Sequence, residues 1–550
     1  MAFESSHWRP VGSALFSILV LACSSGGGDA GSASNSEGTG VQGAGGATAT
    51  TVSSGSVTTA TGSGGNSIGG SVASSTSGGG TASTSGTTAA STTGTTTATT
   101  TGATTGGAGA GGGSGDDLVP NTACTIDITA NTSDTIGTVG IVTFTTDLGA
   151  VDAGYIDFGL DESYGMRAPL DLGAADFRTL LLGMTQNSEF HYRVVAKSGD
   201  QICESADAVI STGSAPSDVP TPSFSASQAD KVAPGFLVTS TNNMGGGSQG
   251  GGASYVLIFN HEGALVWWYP TSLGSVSRAG LSHDSQYMYV LEPNPGGQDG
   301  GQSARIAMDG SGEEDLSVTR GHHDLCIVED GVLILTGGGT DSCGEVTKIA
   351  DDGSTTTLYD IRQAFGDTFQ AGANDPCHCN SIHYNPADDT ITMSCLSQNA
   401  FVKVGMDGTL HWVLGGNGSQ SHFSGDIEWN RQHGHHMVSP TRLVFFNNNG
   451  LDPTEGGMMG GGGSSLAVEM QLDLDTMGAT RTRVFDGGHS SQTFGDAQIL
   501  LNENLLVNYC NDGVILEVDT DDQLVAEWTF SGGIGYSNQR PTLYGLPPRQ

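Results

Sequence analysis

One pattern recurs through the second half of the chain and constrains its fold more than any other feature. A short hydrophobic strand follows a polar or histidine-bearing turn, and a second hydrophobic strand answers it a few residues later. Leu325-Cys326-Ile327-Val328 is answered by Val332-Leu333-Ile334-Leu335, and Ser381-Ile382 by Ile391-Thr392-Met393. His436-Met437-Val438 is answered by Leu443-Val444-Phe445-Phe446, and Ala497-Gln498-Ile499-Leu500 by Leu505-Leu506-Val507. Earlier copies near Phe236 and Met288 bring the count to about six units over about 320 residues, a repeat array by its period. Tyr255–Phe259 with Leu265–Tyr269, and Phe401–Val404 with Leu410–Val413, bracket turns that hold Gly263 and Gly408, as hairpins require. Helical periodicity is nearly absent. At roughly 40–50 residues per four-stranded unit, the pattern predicts an all-β fold, a six-bladed β-propeller over 233–550.

The rest of the 550 residues cannot share that fold. From Ser24 to about Gly115 the chain is almost purely Gly, Ser, Thr and Ala, with too little apolar side chain to offset the entropy of ordering it. Residues 24–116 are therefore expected to be a disordered tether. Between 117 and 213 short alternating strands return, among them Gly140–Thr145 and Phe190–Ala196. Leu182–Tyr192 resembles the end of a fibronectin type III module, with Phe190 where such modules usually carry a corner tyrosine. The resemblance implies a small β-sandwich at 117–213, followed by a Pro- and Ser-rich hinge at 214–232. At the start, Arg9 precedes an apolar run, Val11–Ala22, too short to span a bilayer as a stable helix. Residues 1–23 thus read as an export signal. Its end, Val20-Leu21-Ala22-Cys23, resembles the lipobox of bacterial lipoproteins, which implies a lipidated Cys23. The expectation is an exported protein of the cell envelope, lipid-anchored at the outer membrane or cell surface.

Charge narrows the partners. Lys and Arg number 18 against 57 Asp and Glu, a formal net charge of −39, and none of the 18 lies between Arg9 and Arg167. Such a chain has no field that would gather a phosphate backbone, so nucleic acid is excluded as an expected partner. An anionic small molecule would need positive groups concentrated locally.

Eight cysteines follow Cys23, an even number that suggests disulfides in an exported protein. Cys124 with Cys203 fits within the small domain, and Cys326 with Cys343 within one hairpin. Cys377-x-Cys379 is too tightly spaced for the usual zinc pattern.

Three histidines precede three successive repeats. His323 stands in Gly321-His322-His323-Asp324, His378 in Cys377-His378-Cys379-Asn380-Ser381, and His433 in Gln432-His433-Gly434-His435-His436. Each is 55 residues from the next by number. If a blade takes that length, the three imidazoles meet at one mouth of the central channel. A lone histidine at a strand start is usually structural; three in register are not so easily dismissed. His489 falls in a loop, and the roles of His435 and His436 stay open between support and strand packing. Clustered imidazoles permit a metal site, general acid–base chemistry, or a nucleophile beside anion-holding partners. No Asp or Glu recurs in register with them, which argues against a metal; no cofactor is expected.

These residues carry a family resemblance. Gly-His-His-Asp at 321–324, His-x-Asn-Ser-Ile at 378–382 with Asp388-Asp389, and Gln432-His433 followed by Phe446-Asn447-Asn448-Asn449-Gly450 are similar, in order and context, to bacterial arylsulfotransferases. Gly495-Asp496-Ala497-Gln498, Asn502-Glu503-Asn504, Glu517-Val518-Asp519 and a closing Tyr536–Arg540 agree, so the resemblance covers about Ala233 to Pro548. It implies transfer of a sulfuryl group from a phenolic sulfate donor to a phenolic acceptor through a histidine intermediate. His433 would be the nucleophile. His323 and His378 would bind sulfuryl oxygens and move phenolic protons, and Asn380 would donate a hydrogen bond beside them.

The sequence departs from the family at one place. Where the family has Ser-x-Arg-x-Gln, Ser394-Cys395-Leu396-Ser397-Gln398 has Leu396, and losing a fixed cation costs an anion site several kcal/mol, roughly two orders of magnitude in rate. Arg278, ten residues before Met288 as His433 is before Leu443, is a candidate substitute; Arg431 and Arg540 are others. Two competing readings remain: a surface-anchored propeller that binds a ligand or partner without turnover, and a metal- or quinone-dependent oxidoreductase.

Overall fold

The structure, a computed structural model, describes residues 117–242, 254–293, 301–318, 320–366, 375–416, 420–448 and 464–545. Residues 1–116, on which the expectations of an export signal, a lipidated Cys23 and a tether fall, lie outside the described residues. Among those described, regular structure is almost entirely strand; Arg362–Phe365 forms one α-helical turn.

The first two sheets belong to a small β-sandwich. Ile126–Thr132, Gly140–Thr146 and Thr179–Leu181 make one; Gly165–Pro169, Ala153–Gly159, Glu189–Ser198 and Gln201–Glu204 make the other, and Ala208–Ser211 also pairs with Glu189–Ser198. Period-two alternation places Phe190, Tyr192 and Val194 inside, where they meet Val142 and Phe144 of the facing sheet in one core. Cys124 and Cys203 form the expected disulfide.

Six further sheets form the propeller, each with at least four strands; in blades 2 to 6 the first four run out from a common centre in chain order. Blade 2 is Arg278–Leu281, Tyr287–Glu292, Gln302–Ala307 and Glu313–Asp315. Blade 3 is Gly321–Val328, Gly331–Thr336, Glu345–Ala350 and Thr355–Asp360. Blade 4 is Cys379–Asn385, Thr390–Cys395, Ala400–Gly405 and Leu410–Gly415. Blade 5 is Gln432–Ser439, Arg442–Asn447, Leu466–Asp473 and Gly478–Asp486, and blade 6 is Asp496–Ile499, Leu505–Tyr509, Val514–Val518 and Leu524–Thr529. Blade 1 joins the two ends of the domain: Asn538–Arg540 pairs with Phe236–Ser240, which continues to Ser254–Asn260 and Leu265–Thr271. The innermost strands of all six blades line one central cavity. Second strands such as Leu505–Tyr509 are buried at every position, because neighbouring blades cover both faces of each sheet. Hence the uninterrupted hydrophobic runs in the sequence.

Two details differ from expectation. Ser223–Ala226, inside the stretch read as a hinge, pairs with Leu524–Thr529 as an extra outer strand of blade 6, and Phe224 packs on Trp528 with ring centroids 4.9 Å apart. The pairing of Cys326 with Cys343 is wrong. Cys326 sits near the turn that joins the first two strands of blade 3, while Cys343 follows the far end of the second strand, so the two occupy opposite ends of the blade. Cys343 bonds Cys377 and Cys379 bonds Cys395; Cys326 and Cys510 are free. The sandwich also packs on the propeller directly. Thr138 Oγ1 donates to the Val266 carbonyl at 2.6 Å, Arg178 pairs with Asp309, and the Leu182 N–H donates to Tyr544 Oη at 2.8 Å.

Candidate active site

The innermost strands of blades 3, 4 and 5 break their ladders at the same level. Register shifts fall between Gly321 and Leu325, between Cys379 and Ser381, and between Gln432 and His435. An extra residue in one strand re-aims the side chains beside it. His323 (φ 59°), His378 (φ 46°) and Arg431 (φ 58°) take left-handed backbone there, a region that disfavours side chains and collects at functional sites. Two disulfides, Cys343–Cys377 and Cys379–Cys395, hold the backbone on either side of His378. Gly434 lets blade 5 approach blade 6 closely: a Cβ there would stand 2.2 Å from Asp496 Oδ1.

The result is a cluster of imidazoles at one mouth of the channel. The His323 ring centroid lies 5.0 Å from that of His378 and 5.8 Å from that of His433, so the structure brings the three sequence candidates together. His322 joins them, 4.3 Å from His323 and 4.7 Å from His378. Blade 6 supplies Phe494 instead of a histidine, 5.1 Å from His323 and 6.2 Å from His433. His322, His323 and His433 are buried, while the His378 side chain keeps 23 % of its surface exposed.

Hydrogen bonding fixes how His433 carries its proton. The Asn448 amide donates from Nδ2 to the carbonyls of Ser491 and Phe494, both at 2.7 Å, so its Oδ1 faces His433 Nδ1 at 2.7 Å. That nitrogen must therefore donate, which leaves Nε2 as the bare lone pair. Burial pushes the His433 pKa down to about 3 against the upward pull of the Asn448 bond, so the ring is neutral at pH 7. Burial likewise lowers His322, to about 4, and lowers His323.

Asp375 was missed by register reasoning because it comes from the loop before blade 4 and not from a repeat position. Its Oδ2 lies 2.9 Å from His378 Nδ1 and 3.3 Å from His322 Nε2. Burial raises its pKa, but the two imidazoles outweigh this and it ends below the ordinary carboxylate value. A carboxylate beside the histidines removes the argument made against a metal: His322, His323 and His378 offer ligand atoms within 4.8 Å of one another. His322 and Asn448 each stood beside or within a quoted motif, and adjacency to His323 and to the Asn-rich strand end was the available signal.

The other expected residues divide. Arg278 does reach the channel, but Nε bonds Asp324 Oδ1 at 2.6 Å and Nη1 bonds Asp496 Oδ2 at 2.8 Å. Burial lowers its pKa and the two carboxylates outweigh that, so the guanidinium is charged yet fully neutralised and is no free cation for an anion. Asn380 is buried and its Nδ2 donates to the Gln432 carbonyl at 2.8 Å, tying blade 4 to blade 5; its unpartnered atom is Oδ1, an acceptor, unsuited to a sulfuryl oxygen. Arg540 bonds the carbonyls of Thr542, Leu281 and Gly545 and lines the cavity beyond the histidines. Arg431, two residues before His433, acts electrostatically on that ring. His435 has both nitrogens engaged, Nδ1 with Ser381 Oγ and Nε2 with Thr392 Oγ1, and is structural. His489 lies between strands, as expected of a loop residue.

Fold and site together define a six-bladed β-propeller with a histidine pocket at one channel mouth. Residues 342–531 match the family model described as Arylsulfotransferase (ASST). That stretch holds His378, His433 and Asn448. No curated protein sequence matches the chain. Among solved structures, TolB from Acinetobacter baumannii is similar at 9 % identity, with 65 % of this chain and 80 % of that one covered and a TM-score of 0.34. Virginiamycin B lyase from Staphylococcus aureus is similar at 11 % identity, 54 % and 97 % coverage and a TM-score of 0.34. The periplasmic gluconolactonase of Pseudomonas aeruginosa is similar at 15 % identity, 55 % and 95 % coverage and a TM-score of 0.30.

Proposed function

We propose that the protein moves a sulfuryl group from a phenolic sulfate ester to a phenolic acceptor through a sulfohistidine at His433. The observation that carries this reading is the Asn448–His433 bond, which holds a neutral imidazole with Nε2 unprotonated in a cluster with three further histidines. The Nε2 lone pair attacks sulfur as the sulfur–aryl oxygen bond breaks, and the phenolate leaves with that electron pair. The phenolate takes its proton from solvent, which reaches the pocket beside the partly exposed His378. The acceptor phenol then attacks sulfur, the N–S bond breaks with its pair returning to Nε2, and the phenolic proton is released to solvent. Charge grows on the sulfuryl oxygens in both half-reactions, so fixed donors matter most.

Incubating the purified protein with 4-nitrophenyl sulfate and phenol tests this. Acceptor-dependent nitrophenol release, lost in His433→Ala, is expected. No release from a folded protein would overturn the reading and leave a propeller that binds without turnover, which Leu396 favours. Two further readings belong with it. The strand order of the sandwich supports a fibronectin type III-like spacer. Val20–Cys23 supports export and lipid anchoring at the cell envelope, and Cys23→Ser would then move the protein from the membrane fraction to the soluble one.

A further inference from the structure

We propose that His322, His323, His378 and Asp375 bind a divalent transition-metal ion, zinc by preference, at the histidine mouth of the channel. Four observations carry this. First, one nitrogen from each ring lies within 4.8 Å of the others. Second, His322 Nδ1 lies 2.8 Å from the Cys379 carbonyl oxygen, which cannot donate, so Nδ1 carries the proton and Nε2 is a bare lone pair. This is the arrangement of a metal-binding histidine whose outer nitrogen is held by backbone. Third, Asp375 Oδ1 accepts the backbone N–H groups of Gly338 and His378, each at 3.2 Å, which turns Oδ2 toward the rings. Fourth, Oδ2 and His322 Nε2 are both buried, 3.3 Å apart, and neither has a hydrogen-bond partner.

That last contact sets two lone pairs facing each other, an arrangement that repels unless positive charge lies between or beside them. Oδ2 also lies 2.9 Å from His378 Nδ1 without hydrogen-bond alignment. Ligands around a common centre behave in this way. Tetrahedral zinc with bonds of about 2.0–2.1 Å separates neighbouring ligands by about 3.3 Å, which the two contacts already approach. Imidazole and carboxylate suit zinc over magnesium or calcium, and the nearest cysteines, Cys377 and Cys379, are locked in disulfides and offer no thiolate. Exposure of the His378 side chain gives the ion an entry path. On the proposed sulfuryl-transfer reading, on which this role alone rests, the cation supplies the positive charge that Leu396 lacks and Arg278 cannot lend.

Full-length protein, stripped with a chelator and titrated with cobalt(II), tests the site. One equivalent with the visible absorption of tetrahedral cobalt, displaced by zinc, is expected. Asp375→Asn and His322→Gln should each weaken binding 10–100-fold, and His435→Gln should leave it unchanged. Circular dichroism checks that each variant is folded, and His378→Gln, at the exposed ring, gives a second test should a buried variant unfold. Absence of the cobalt spectrum, or a spectrum indifferent to all three ligand variants, overturns the proposal. Metal bound without sulfuryl transfer keeps the site and overturns the function; sulfuryl transfer by a protein that binds no cobalt does the reverse.

Discussion

The channel has a histidine cluster at each end, and the two are built on different terms. At the blade 3–5 bulges, His322 and His433 each have one nitrogen held by a carbonyl or an amide oxygen, and His378 Nδ1 lies 2.9 Å from the Asp375 carboxylate. Toward the other mouth, His383, His435 and His436 stand further along the inner strands of blades 4 and 5, where His383 and His436 meet edge to face at 4.7 Å. There His435 is saturated by Ser381 and Thr392, and the surrounding cavity of about 170 Å³ is walled by Leu281, Leu325, Ile327, Ile382 and Met437. Between the two ends lies the ion triplet Asp324–Arg278–Asp496, with the guanidinium 4.5 Å from the Tyr536 ring centroid. Residue type alone does not make a site. One end sets open lone pairs beside the Asp375 carboxylate; the other saturates His435 and buries His383 Nδ1 and His436 Nδ1 without a hydrogen-bond partner.

The largest contrast is between His433 and His435, two residues apart. His433→Ala should lower kcat at least a thousandfold, because the covalent route disappears, and should also cost about 1–3 kcal/mol of stability, because Asn448 Oδ1 loses its ring partner. His435→Ala should cost stability without that loss of turnover. It leaves Ser381 Oγ and Thr392 Oγ1 without their ring partner, costing about 1–3 kcal/mol of stability, with kcat per folded molecule within tenfold of the parent. Steady-state kinetics paired with urea unfolding would separate them, and the same profile from both variants would break the comparison.

Arg278→Met strikes the triplet between the ends. Two buried carboxylates lose their partner, and removal of one member of a buried ion pair typically costs about 3–5 kcal/mol. The unfolding midpoint should fall accordingly. A variant of unchanged stability but lost turnover would restore Arg278 as a free cation for substrate. Asn448→Ala comes next in size: without the oxygen that holds the Nδ1 proton, the ring loses its enforced tautomer, and kcat should fall about 10–100-fold with KM nearly constant.

Much of the scaffold was legible because repeats state their period openly. The hairpins around Gly263 and Gly408, the six units and the convergence of His323, His378 and His433 all followed from spacing, since equivalent positions on radial sheets must face one axis. What spacing could not convey were contacts made by residues outside the repeat. Asp375 comes from a loop, Asn448 acts across from the end of a second strand, and Phe494 takes the place a fourth histidine would hold. Register arithmetic placed Arg278 in the channel correctly, yet it carried no information about Asp324 and Asp496, which arrive from blades 3 and 6 and neutralise it. The cysteine error had the same origin: a hairpin's two ends are near in sequence and far apart along the blade. The hinge concealed a strand because four polar-edged residues, Ser223–Ala226, signal little until Trp528 is beside Phe224.

Acid should distinguish the two ends by a smaller but different signature. Burial lowers the pKa of His435 to about 3 and that of His436 to about 4, against 6.5 for the free side chain. Between pH 6.5 and about 4 the unfolded chain takes up protons that the folded one refuses, so stability is complete above pH 6.5 and declines as pH falls. Each ring contributes a slope of at most about 1.4 kcal/mol per pH unit in that window. Urea midpoints measured from pH 7.5 to 4.5 should drop steadily, and more gently in His436→Gln. His433, lowered to about 3 by the same burial, should show its pKa in the kinetics instead. As long as the protein stays folded, the acid limb of kcat/KM that belongs to the nucleophile should lie below pH 4, where an exposed imidazole would place it near 6.5. A limb near pH 6.5 in the folded parent protein would mean instead that water reaches the His433 ring freely and that burial does not hold it neutral.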